Sequence, residues 1–158
     1  MVVLDRRRFV VTRFARAALI VLLVGMVSAI LLCGCAEKGP TYVDNGTAYT
    51  QDSALTLLAD ADAAAVASRA TSEGTKLRHD ALAALRRQGP AASSVSDLLT
   101  RTFPTDTTGV PIYVERGTYG GRPAVLVVEA TGPSEGTLSS KRLWVVSTEG
   151  DILFAGSR

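Results

Sequence analysis

Hydrophobic positions along this chain change their spacing more than once. From Ala17 to Leu32 they are continuous, sixteen residues without a charge. Residues 36–51 show neither helical nor strand spacing, and Gly39-Pro40 and Asn45-Gly46 mark them as a flexible spacer with a turn. From Asp52 to Ala70 alanine and leucine dominate, with Leu55, Leu58 and Val66 as the larger members. A helix is predicted there, because alanine loses no side-chain entropy on entering one. Thr71 to Thr75 interrupts the run with cap and breaker residues. A second helix is predicted from Lys76 to Gln88, where Leu77, Ala81, Ala84 and Leu85 form one stripe. Arg86 and Arg87 followed by Gly89-Pro90 stop it. Ser94 and Asp97 have the spacing of a capping box, opening a short third helix through Leu98, Leu99 and Thr100 that ends before Phe103-Pro104.

Beyond Gly109 the period falls to two. Val110, Ile112 and Val114 alternate with Tyr113 and Glu115, and Pro111 places this strand's start at a sheet edge. Gly120-Gly121 is a hairpin turn. Ala124 to Ala130 is apolar on both faces for most of its length, as expected of a strand covered on both sides. Residues 131–140 read as a long, mobile, partner-facing loop. Lys141 to Ser147 and Ile152 to Phe154 are joined by the tight turn Thr148-Glu149-Gly150-Asp151. The predicted fold class is α+β: an N-terminal signal helix, then two or three helices packed on a four-stranded antiparallel β-meander. Residues 1–34 form the leader, 35–51 a tether and 52–158 a single domain. Trp144 and Tyr113 are expected to share the second face of the sheet.

Charge divides the chain at the same place as hydropathy. The formal net charge is +2, but residues 1–34 hold five arginines and a single acid, whereas residues 35–158 hold twelve basic and fourteen acidic side chains. A nucleic-acid partner is not expected, since the working domain lacks the basic excess that displaces counterions from phosphates. At about 1.5 Å per residue the apolar run spans ~24 Å, short of the roughly 30 Å hydrocarbon core of a bilayer. That length, after Arg6, Arg7, Arg8, Arg13 and Arg16, suits an export signal more than a permanent span. An uncleaved single-pass anchor is the alternative.

The run closes on Leu32-Cys33-Gly34-Cys35, which resembles the lipobox of bacterial lipoproteins. The resemblance covers the first 35 residues and departs at Cys33, where a small or β-branched residue is usual. It implies that the Cys35 sulfur receives a diacylglyceryl group and that the chain is cut between Gly34 and Cys35. Two acyl chains would hold the protein on the extracytoplasmic face of the cell membrane, each buried CH₂ contributing about 0.8 kcal/mol. Arg6-Arg7-Arg8-Phe9 also resembles the twin-arginine export motif, so the route of export stays open. Both cysteines lie in this box, so no disulfide framework or thiol pair is available to the domain.

Chemistry within the domain is sparse in the sequence. Asp60 and Asp62 stand two apart and would face different sides of a helix. His79, the sole histidine, adjoins Asp80, but neighbours on a helix diverge by about 100°. No phosphate loop, nucleophile elbow or zinc spacing occurs, so no catalytic, cofactor-binding or metal residue is nominated. The strand half resembles in topology the small PepSY-type or cystatin-like envelope domains, which pack helix against an antiparallel sheet; no functional residue is carried over. Two functions remain in view. One is a non-catalytic lipoprotein domain that binds an envelope protein or small ligand. The other is a small envelope hydrolase or isomerase using His79 with Glu115 or Glu129 in a helix-plus-sheet pocket.

Overall fold

The computed structural model describes residues 39–158. Three α-helices, one short 3-10 turn and a five-stranded sheet make up these residues. In chain order they are β1 (Thr41–Tyr49), α1 (Gln51–Asp60), the turn Thr71–Glu73, α2 (Gly74–Arg86), α3 (Pro90–Thr102), β2 (Val110–Tyr119), β3 (Arg122–Thr131), β4 (Ser140–Ser147) and β5 (Ile152–Ser157). Spatial order follows sequence order, and β2 to β5 form the antiparallel meander. The α+β class holds, but the sheet has a fifth strand. β1 lies parallel to β2, so the sheet is mixed, and most of the segment read as a tether is part of the fold.

Both faces of the sheet are covered, which explains the unbroken apolar run of β3. Val114, Val125, Val127 and Val146 pack beneath Leu82, Leu85, Val95, Leu98 and Leu99 of α2 and α3. On the opposite face, Ala124, Leu126, Val128, Leu143 and Val145 pack against Ala54 and Leu58 of α1. A strand sandwiched in this way loses the polar half of its alternation. Tyr113 pairs across from Val128 and Trp144 from Val127, so the two aromatics point to opposite faces rather than sharing one.

Local chemistry sets the helix limits. Thr50 and Ser53 form a reciprocal capping box at the start of α1. The helix stops at Asp60, ten residues short of the alanine run's end. There the Lys141 ammonium donates to the carbonyls of Ala59 at 2.6 Å and Ala61 at 2.9 Å, and Asp62 Oδ1 accepts from the Ala64 N–H at 2.8 Å. Such an Asx bond competes with helix for the same backbone groups. α2 ends at Arg86, with the Arg87 N–H bonded back to the Ala84 and Leu85 carbonyls, and Gly89, at φ of 122°, begins α3 ahead of Pro90 in the first turn. Ser94 and Asp97 therefore lie inside α3 and cap nothing; Asp97 instead pairs with Arg86 of α2 at 2.9 Å.

The segment between β3 and β4 is docked on the fold at Gly136 and Leu138. Its Gly136 carbonyl accepts from the Thr71 N–H at 2.9 Å, the Leu138 N–H donates to the Arg69 carbonyl at 3.0 Å, and Leu138 is fully buried. This contact anchors the passage from α1 on one face to α2 on the other. Among the described residues no helix is long and apolar enough to cross a membrane.

Candidate functional site

Two carboxylates are buried in the sheet, one on each face. Glu129 of β3 has no exposed surface and Glu115 of β2 is 2 % exposed. Burying an ionised carboxylate is costly unless hydrogen bonds or an opposite charge compensate it, so the partners of each decide its role.

Glu129 is fully compensated. Arg78, from α2, donates from one Nη1 to Glu129 Oε1 and, at 2.8 Å, to the Gly109 carbonyl. Glu129 Oε2 accepts from Trp144 Nε1 at 2.8 Å and from Arg142 Nη2 at 3.2 Å. Arg142 stacks over the Trp144 ring at 4.6 Å, and Arg78 over Phe103 at 5.2 Å. Gly109 must lack a side chain, because a Cβ would stand 2.6 Å from Glu129 Oε2. Two guanidiniums and one carboxylate, set against the tilted Phe103 and Trp144 rings, pin α2 and the 103–109 loop to the sheet. The arrangement is a structural clamp.

Glu115 is different. Its Oε2 accepts two phenol hydrogens, from Tyr113 at 2.6 Å and from Tyr49 at 2.8 Å. Its Oε1 is buried and has no hydrogen-bond partner, and among the described residues no basic side chain pairs with it. Parallel pairing of β1 with β2 brings this set together: Tyr49 ends β1 beside Tyr119, Val43 lies beside Glu115, and Tyr113 sits two residues before Glu115 on the same face. Tyr49, Tyr113, Tyr119 and Phe154 are half-buried around this side of the core, with Tyr119 and Phe154 stacked at 5.9 Å. The result is a buried carboxylate rimmed by aromatic rings, with one oxygen unpaired.

The phenols register that environment. Burial, followed by the hydrogen bond to Glu115 and its charge, pushes the Tyr49 hydroxyl up to about 12 from its ordinary 10.0. The same causes raise Tyr113 further. A phenol whose folded pKa is raised contributes stability below its unfolded pKa and loses it as pH climbs through the folded value. Alkaline titration followed by phenolate absorbance and circular dichroism should therefore show both rings still protonated just above pH 10, with Tyr49 ionising near pH 12 as the fold begins to be lost and Tyr113 following above it. Ionisation of both at their ordinary value with the fold intact would contradict the site.

His79 is not part of either group. Its side chain is 82 % exposed on α2, 3.7 Å from Asp80, so it meets neither glutamate. Asp60 closes α1 and Asp62 follows the helix, where it makes its Asx bond. Cys35 and Gly34, the lipidation and cleavage positions, lie outside the described residues. No group of three metal-ligating side chains occurs among the described residues. Comparisons with protein-family models, curated proteins and solved structures return no match. In the sequence the signal for both sites was an acid within a β-branched, apolar strand, but their partners stand far off: Arg78 is 51 positions from Glu129 and Tyr49 is 66 from Glu115.

Proposed function

We propose that this chain is a membrane-anchored extracytoplasmic lipoprotein, acylated on Cys35 after cleavage behind Gly34, whose single α+β domain is a non-catalytic binding or accessory module. The observation that carries the reading is the order of arginine-rich segment, an uncharged and largely apolar run of sixteen residues, and Leu-x-Gly-Cys. Pro40 already engages the domain, its carbonyl accepting from Gln88 Nε2 at 2.9 Å, and Thr41 opens β1. A cut before Cys35 therefore leaves every described element whole.

Mass spectrometry of the purified membrane protein tests this. The expected mass lacks residues 1–34 and carries a diacylglyceryl group on Cys35, and Cys35→Ala retains the leader without added acyl mass. A parent protein that keeps residues 1–34 and lacks acyl mass supports instead the single-pass anchor and removes the lipoprotein reading. The binding role is supported by the Tyr49–Glu115–Tyr113 group, whose buried, unpaired carboxylate oxygen lacks a donor that a partner group could supply.

A further inference from the structure

The unpaired oxygen of Glu115 specifies the chemistry of what would complete it. Oε2 has its two donors, so the deficit lies on Oε1, and it is a deficit both of a hydrogen-bond donor and of positive charge. A metal ion would need more ligands than the neighbourhood offers, since hard cations take six or more oxygens and one carboxylate stands here. Aromatic rings beside a carboxylate favour organic cations, which are held by the ring faces as well as by charge. A quaternary ammonium would bring charge but no N–H, and would leave Oε1 without a donor.

We propose that Glu115 Oε1 is the receiving atom of a binding site for an organic ammonium group, a protonated primary or secondary amine that donates an N–H to this oxygen and rests its carbons against Tyr49 and Tyr113. Both rings are half-buried and Oε1 has no exposed surface, so the amine enters as the phenol rings shift. The ammonium replaces lost hydration with a charge-assisted hydrogen bond, about twice as strong as a neutral one. This inference rests on reading the domain as a binding module and is independent of the anchor; failure of acylation and failure of amine binding are separate results.

The test uses the full chain in non-ionic detergent with tyrosine rings isotopically labelled for NMR. n-Butylammonium chloride is titrated against tetramethylammonium chloride and against sodium chloride of equal ionic strength. The expected result is a saturable shift of the Tyr49 and Tyr113 ring resonances with one midpoint for butylammonium. Tyr42, which pairs across from Val114 on the opposite face, serves as the internal control and should not follow it. Tetramethylammonium should bind at least about tenfold more weakly, as should butylammonium to Glu115→Gln. The proposal is overturned by the absence of a saturable shift, by Tyr42 moving with the same midpoint, by equal response to the two ammonium ions, or by undiminished binding in Glu115→Gln. Should that variant not fold, the wild-type titrations decide by themselves.

Discussion

Arg78→Met should lower the stability of the domain by about 3–5 kcal/mol, the cost of removing one partner from a buried ion pair. Glu129 has no exposed surface, and the Arg78 side chain is 6 % exposed, so solvent cannot take over the missing donor. The Gly109 carbonyl loses its donor in the same substitution. Methionine fills much of the arginine stem's volume, which confines the effect to the polar groups. Trp144, the sole tryptophan, donates to Glu129 and so reports on this cluster. Urea unfolding monitored by its fluorescence gives the measurement directly. Arg78→Met combined with Glu129→Leu should recover much of the loss, because a buried pair replaced as a whole by apolar residues is often neutral. A single variant within about 1 kcal/mol of the parent would show that Arg142 and Trp144 suffice to hold Glu129.

Leu126→Ala should cost about 2–5 kcal/mol, the range for emptying a leucine site in a packed core. Leu126 is fully buried on the central strand, on the face covered by α1, and stands directly across from Glu115 in the β2–β3 register. The cavity would therefore open beside the carboxylate as well as beneath the helix. Two readouts should move together: the urea midpoint falls, and the alkaline ionisation of Tyr49 drops from about 12 back towards 10.0. Ile152→Ala provides the contrast. That residue is 51 % exposed on the edge strand β5, and its truncation should change stability by no more than about 0.5 kcal/mol. Equal losses at the two positions would contradict the assigned core.

What could be read from the letters follows from how local each cause is. The span of α2 and the β2–β5 meander were legible because stripe, stop signal and two-residue period lie within short windows. β1 was not, since Asn45-Gly46 sits in its middle and reads as a turn. In the fold that dipeptide is an irregularity inside the strand, with Gly46 at φ of 69° and the β1–β2 register shifting between Asp44 and Thr47. An exposed edge strand also lacks the apolar alternation of its neighbours. The end of α1 escaped for a different reason: alanine propensity is local, but the lysine that closes the helix comes from β4. The glutamates were visible as acids and wrongly paired with His79, because nothing in the spacing of Tyr49, Arg78 or Trp144 announces their convergence. The docking of Leu138 was not legible within 131–140, because its burial depends on a segment nearly seventy residues earlier.

The parallel pairing of β1 with β2 also orders events in time. Residues 50–109 separate the two strands, so β1 leaves the ribosome well before its partner has been made. Closing so large a loop is slow compared with forming hairpins, and the meander can assemble from neighbours while β1 waits. The Tyr49–Glu115 contact then belongs to the last stage of folding, when the N-terminal strand docks onto a sheet already built. Until then Glu115 lacks one of its two phenols, and the edge of β2 is an open template for strands of other chains. Crowded, newly synthesised copies would be most prone to mispairing in that interval.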